Sequence, residues 1–183
     1  MKIQWIDAKI DYDGSQLSPH WIFKQFSICG DALVAFAGRC DLLPEKMVDL
    51  LDLKEGKKIY SEEMLHFIAE FFDTDLTRTI LLQRLLVSLA QQEIAHQGRC
   101  FLIRAGNDLF DQDAKLSVSI ATASPVSTLL HLGINISSKN TPVKTKGLND
   151  YGLNPTSFAH SLLETFQHEL ETLGVARAKV RPV

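Results

Sequence analysis

An α+β domain with a mostly antiparallel sheet and flanking helices is what this sequence predicts, on three observations. Residues 31–40, DALVAFAGRC, form a nearly continuous apolar run of strand length, as a central strand buried on both faces requires. Residues 115–124, KLSVSIATAS, and 129–137, LLHLGINIS, are alternating or continuous apolar runs that read as two adjacent strands. Residues 75–98 repeat Leu and Ile at helical spacing and stop at Gly98, the longest helix in the chain. Strands and helices mix without strict βαβ alternation, which argues against a doubly wound sheet.

The remaining elements follow in order. Residues 2–10 alternate, with Ile3 and Trp5 on one side, and read as a strand ending in the turn-forming DYDGS. Ser18 caps a short helix that has Pro19 at its first position and ends near Gly30. The strand 31–40 then delivers Arg39, Cys40 and Asp41 at its end. Pro44 interrupts what comes next, and residues 47–53 fit either a strand or one helical turn. Residues 62–72, EEMLHFIAEFF, have a length that suits a helix; the alternation of Leu65, Phe67, Ala69 and Phe71 and the β-rich composition favour a strand. The helix 75–98 begins with a capping Asp or Thr. Residues 99–103 return to strand, and 137–154 form a loop rich in Lys, Gly and Asn. A last helix spans 154–173, capped by Asn154 or Thr156 and ended by Gly174, and 175–183 read as a short edge strand or a tail.

Composition narrows the function. A chain of 183 residues with 45% hydrophobic residues suits one domain, residues 1–183, around one core. The net charge of −3, with Lys and Arg spread along the chain, offers no basic face for a nucleic acid. No apolar run approaches the roughly 20 residues of a membrane span, and the N-terminus lacks a signal-peptide centre, so a cytoplasmic location is expected. Cys29, Cys40 and Cys100 are odd in number and form no CxxC pair, which makes them reduced thiols. His66 and His131 lie in apolar strands, where a singly hydrogen-bonded core histidine is the commoner role than a ligand or general base, and with no HxH or HxxxH spacing no metal site is expected. The oligomeric state is not legible.

The candidate site centres on residues 104–138. Lys115 enters a strand beside an apolar sheet; it is either a hairpin lysine in solvent or a cation placed to hold a carboxylate or phosphate. Strand alternation puts Ser117 and Ser119 on its face, with Leu116, Val118 and Ile120 on the opposite, core face. Arg104 and Asp108 are candidates for an ion pair that orients a ligand, and Asn107 with Asp108 equally suit a turn. Cys40, between Arg39 and Asp41, is either a thiolate helped by the adjacent cation or a small buried hydrophobe. The polar group Asp11, Asp13, Ser15, Gln16 and His20 either rims a pocket or serves its own turn, and His160 and His168 read as surface positions.

Asn107, Asp108, Lys115, Leu116 and Ser117, followed by the strand Leu130-His131-Leu132-Gly133-Ile134-Asn135, resemble the core of the biotin and lipoate protein ligase superfamily. That resemblance implies a biotin/lipoate ligase-like fold with an acyl-binding groove across the sheet. Lys115 would then contact the carbonyl or phosphate of an acyl-adenylate, with His131 and Asn135 as further substrate-binding residues. Only Gly38 stands where those ligases carry a Gly-rich adenylate loop, so no cofactor is assigned. Taken whole, with YDGSQLS, KLSVSIA and LGINI, the chain resembles an uncharacterised prokaryotic family known as domain of unknown function 366. Two functions remain open. One is a protein that binds a small carboxylated or acylated ligand and, if an enzyme, performs acyltransferase or ligase-like chemistry, with Cys40 carrying a thioester and Lys115 stabilising the oxyanion. The other is a non-catalytic small-molecule binding or interaction module that has lost that chemistry.

Overall fold

The structure, a computed structural model, describes residues 1–182. Strand β1 (Lys2–Ile6), helix α1 (Trp21–Phe26) and strand β2 (Ala32–Asp41) come first, then a short helix α2 (Leu50–Lys54), β3 (Tyr60–Phe71) and the long α3 (Leu76–Gly98). Strands β4 (Ile103–Ala105), β5 (Asp108–Asp111), β6 (Ala114–Lys115), β7 (Ser117–Ala123) and β8 (Thr128–Asn135) follow, and then α4 (Pro155–Ala178). The main sheet runs β1-β2-β3-β8-β7; β1 lies parallel to β2 and every other pair is antiparallel. A small second sheet, β4-β5-β6, leads into β7. This is the α+β architecture the pattern predicts.

The two faces of the main sheet have different jobs. Leu33, Ala35, Leu65, Phe67, Leu130 and Leu132 pack against Leu86, Ala90, Phe158 and Phe166 of α3 and α4, forming the larger core. On the opposite face Val34, Phe36, Met64 and Ile68 pack beneath Tyr12 and Ile22. The chain after β1 crosses that face as a strap, with Ile10 N–H donating to the Ala37 carbonyl at 3.0 Å and Tyr12 N–H to that of Arg39 at 2.8 Å. β2 shifts register between Gly38 and Cys40 where the strap meets it.

Several elements stand where the sequence puts them. Residues 62–72 fall on strand β3 up to Phe71; of residues 47–53, left open between strand and helical turn, Leu50 to Leu53 lie in α2, whose cap Asp49 accepts from the backbone of Leu51 and Asp52. Asp75 caps α3 through the Arg78 N–H at 2.9 Å, and Asn154 caps α4 through the Ser157 N–H at 3.0 Å.

Three expectations are corrected. Ser18 does not cap α1: its hydroxyl donates to the Ser15 carbonyl at 2.8 Å, and the helix starts at Trp21. His20 makes the turn instead, at φ 63°, and its N–H donates 2.8 Å to the buried carboxylate of Glu70, a side chain 50 residues away that no local pattern reveals. Residues 99–102 are not strand, because Arg99 closes α3 in the left-handed region and the chain reaches a sheet only at Ile103. Gly174 does not end α4, which continues through Ala178. The alternation of residues 175–180 is the exposed surface of that helix and its end, and the Ala and Arg residues there favour helix strongly enough to carry it past one glycine.

Candidate functional site

A cavity of about 610 Å³ opens over the β7 and β8 half of the sheet, on the face away from the long helices. Tyr12, Leu42, Met47, Met64, Val118 and Ile120 supply apolar wall, and Asn107, Asp108, Lys115, His131 and Asn135 supply polar groups. The connection between β2 and β3 forms one lip, bringing Lys46, Asp49, Asp52, Lys57 and Lys58, and residues 141–145 form another. A concave, mostly apolar space with a few converging polar groups is the usual form of a small-molecule site.

Lys115 holds the charged end of this cavity. Its Nζ lies 2.6 Å from Asp108 Oδ2, with the two side chains 31% and 20% exposed. Asp108 Oδ1 is buried and has no hydrogen-bond partner among the described residues. Burial pushes the Asp108 carboxyl up from its ordinary value, and the Lys115 ammonium pulls the other way. The ion pair therefore joins Asp108 to Lys115, and Arg104 is not part of it. Arg104 is exposed and its guanidinium hydrogen-bonds the Gly106 carbonyl in its own turn. Asn135 fastens the lysine's backbone, its amide donating to the Lys115 and Lys146 carbonyls at 3.4 and 3.3 Å.

The alternation of β7 holds, but with the faces exchanged. Ser117 and Ser119 stand along the cavity lining, but both are buried and their hydroxyls are turned to the small sheet and α3. The Ser117 hydroxyl accepts from the Leu109 N–H at 2.9 Å. That of Ser119 accepts from Gln83 at 2.8 Å and donates to the Asn107 carbonyl at 2.7 Å. These hydroxyls tie layers together, as buried polar groups must be tied. Val118 packs under Tyr12 with the smaller core, and the serines do not form a row with Lys115. The inversion arises at Leu116, which belongs to neither β6 nor β7 and breaks the strict period between Lys115 and Ser117.

Tyr12 and His131 form the cavity floor with His66 behind them. The Tyr12 and His131 rings stack at 4.0 Å between centroids, and His66 Nδ1 lies 3.1 Å from His131 Nε2. Burial pulls the His66 imidazole down to about 3, against opposing pulls from the backbone of Gly38 and Arg39 and from Asp11. Burial, then the neighbouring His66, also holds His131 well below its ordinary value. Both rings are neutral near pH 7. Tyr12 and His66 are the site residues that sequence reasoning missed: Tyr12 reads as part of a turn between two aspartates, and His66 as an ordinary core histidine.

Cys40 is not brought to the cavity. It is fully buried beside Tyr12 in the smaller core, and burial, then Asp41, pushes its thiol up to about 12. The Arg39 guanidinium beside it faces Asp11 at 3.4 Å. Asp13 serves its turn by accepting from the Ser15 backbone and hydroxyl, and Gln16 donates back to the Asp11 carbonyl at 2.9 Å. His160 and His168 are exposed on α4. Among the described residues no helix is long and apolar enough to cross a membrane.

Comparison with known proteins gives this geometry a family. The sequence matches the domain of unknown function DUF366 over residues 1–181. The chain belongs to that family. A relative, the uncharacterized protein MJ0805 of Methanocaldococcus jannaschii, is 42% identical over 159 residues, covering 84% of this chain and 72% of its own. A solved protein of unknown function from Pyrococcus horikoshi superposes with a TM-score of 0.92 at 35% identity, covering both chains fully. Biotin protein ligase from Aquifex aeolicus, in complex with biotin and ATP, gives a TM-score of 0.61 at 15% identity over 93% of this chain and 70% of the ligase. Ta0514 of T. acidophilum, a protein described as a lipoate protein ligase, gives 0.57 at 14% over 93% and 86%. The DUF366 chain thus has the biotin/lipoate ligase-like fold.

The thiols of this DUF366 chain should differ in reactivity. Brief alkylation of the folded protein followed by peptide mapping is expected to label exposed Cys29 first, half-buried Cys100 more slowly and Cys40 last. Labelling of Cys40 ahead of Cys29 would mean that its thiol is reachable and activated after all.

Proposed function

We propose that the cavity binds a small ligand carrying a carboxylate or an acyl group, with Lys115 contacting its charged or carbonyl end. The observation that carries this reading is a lysine held by Asp108 at the wall of an otherwise apolar cavity. One ammonium proton is directed at Asp108, and an ammonium has two more to offer a ligand. The apolar wall from Met64 and Ile120 suits a hydrocarbon body, Asp108 holds the lysine, and the Asn107 amide fastens the turn between β4 and β5 to the Ser119 carbonyl. The ligase neighbours, one in complex with biotin and ATP, lend the fold-level analogy only. Cys40 has no part in this reading. If the family performs acyl transfer or ligation, Lys115 is the group that stabilises developing negative charge; the same contacts serve a binding module without chemistry. Either role fits a cytoplasmic setting that keeps Cys29, Cys40 and Cys100 reduced.

Titration calorimetry with octanoate, lipoate and biotin tests the reading. At least one acid is expected to bind the wild type, and Lys115→Met, which keeps the side-chain stem, is expected to weaken it by about tenfold, the loss of one charge-assisted hydrogen bond. Unchanged affinity in the variant, or no binding by any acid, would overturn the proposal.

A further inference from the structure

The face of the sheet that floors the cavity does not stop at Lys115. Strand β5 lies beside the chain from Leu116 to Ser119 as well as beside β6. The Leu116 N–H donates to the Leu109 carbonyl at 2.8 Å and the Asn107 amide donates to that of Ser119, so the small sheet continues the main one beyond β7. Register carries the face outward. Lys115 of β6 opposes Phe110 of β5, which opposes Ile103 of β4, and opposed residues of an antiparallel pair project to one side. Lys115 lines the cavity, as does Asp108, two residues from Phe110, which fixes that side as the cavity's. Along it Phe110 is half-buried, Ile103 is 48% exposed, and Phe101, two residues before Ile103, is 82% exposed.

Large apolar side chains that adjoin one another in the open mark a binding surface, where scattered ones do not. Their place in the sheet bears on what covers them. In strand order the Lys115 and Asp108 pair stands between this strip and the apolar floor that Val118 and Ile120 supply on β7, all on one continuous face. A free acid ends at the ammonium and covers the cavity side alone. A molecule that covers both sides has its polar group in the middle.

We infer that the ligand has two apolar arms joined through an acyl carbonyl, as in an ester or amide: the carbonyl meets Lys115, the acyl arm fills the cavity, and the second arm lies across Phe110, Ile103 and Phe101. This rests on the proposed function and narrows its ligand class from any acid or acyl group to an uncharged acyl conjugate. Ile103 lies two strands, roughly 10 Å, from Lys115, a span for a short aryl or alkyl arm and not for a methyl group. An ammonium holds a neutral carbonyl less strongly than a carboxylate, and the apolar area buried under the second arm offsets that difference.

Calorimetry on the full chain with N-(2-phenylethyl)hexanamide, N-methylhexanamide and octanoate tests this. The phenylethyl amide is expected to bind the wild type about tenfold more tightly than the methyl amide, the effect of burying one aromatic ring. The double substitution Phe101→Ser, Ile103→Ser, at two exposed positions, is expected to bring the ratio of the two affinities close to one. Equal binding of the two amides by the wild type, or binding of octanoate but of neither amide, sinks this inference and leaves the acid-binding function standing. A ratio that survives the double substitution places the ring elsewhere and also sinks it. Binding of none of the three sinks both. Sedimentation of the two proteins separates the remaining occupant: a wild-type dimer that the double substitution turns into a monomer would assign the strip to a second copy of this chain and overturn the inference.

Discussion

Gly38→Ala is expected to lower the melting temperature by roughly 10 °C and to abolish ligand binding, the largest effect of any small substitution in this chain. A Cβ built at Gly38 meets the Ile10 carbonyl oxygen at 1.9 Å and its carbon at 2.5 Å. Both are backbone atoms, so the clash is relieved only by moving the strap away from β2. Moving the strap breaks the Ile10 and Tyr12 hydrogen bonds to β2 and withdraws Tyr12 from the cavity. Overpacking of this kind costs about 3 kcal/mol. Gly174→Ala, where an added methyl meets nothing inside a helix, supplies the contrast and is expected to stabilise by about 0.5–1 kcal/mol. Thermal unfolding of both variants, with calorimetry on the first, checks the pair; a Gly38→Ala protein that melts with the wild type and binds ligand would refute this account of the strap.

Lys115→Met should cost about 1–2 kcal/mol at neutral pH, although the residue lies at a cavity wall where replacements are usually neutral. The variant strands the Asp108 carboxylate, whose Oδ1 already lacks a partner. Asp108 is raised above its ordinary value chiefly by burial, and loss of Lys115 raises it further. Since both folded-state values lie above that of the unfolded chain, the ionised form is disfavoured in the native state. The deficit is therefore complete above the variant's folded value, shrinks as pH falls through the two values, and is gone below them. Denaturant titrations of wild type and variant at neutral and mildly acidic pH measure this. Adding Asp108→Asn to the variant is expected to restore most of the loss at neutral pH. A deficit independent of pH would show that packing of the lysine stem, and not the carboxylate, sets the cost.

Much of the scaffold was legible because local rules govern it. The β2 run, the alternation in β3 and the Asp75 and Asn154 caps each depend on residues within one turn or one strand, and each is found in place. Lys115 and Asp108 were legible as site candidates through their resemblance to a ligase motif, and they meet at 2.6 Å. What was not legible depends on residues far apart in the chain. A single residue outside the strands, Leu116, exchanges the faces of the serines and valine after it, and periodicity alone cannot register such a slip. The role of Tyr12 depends on Gly38, whose missing side chain admits the strap, and the contact of His131 with His66 joins side chains 65 residues apart. Of the two readings open for Cys40, the thiolate rested on Arg39 being its neighbour in sequence, yet successive residues of a strand face opposite ways, and the guanidinium points to Asp11.

The place of the two floor histidines bears on how the chain reaches its native state. His66 lies on β3, which pairs with β2, and His131 on β8, which pairs with β7. Each pair is an antiparallel hairpin of neighbouring segments, but the seam between β3 and β8, where Ile68 opposes His131, closes a loop that contains all of α3 and the small sheet. Loop closure on that scale is paid for in chain entropy before any contact rewards it, so docking of the two hairpins is expected to be the slow folding event. Neither hairpin alone contains the floor. The binding site would come into being in that single late step, and a ligand present during refolding would act after the rate-limiting barrier, slowing unfolding and leaving the folding rate as it is.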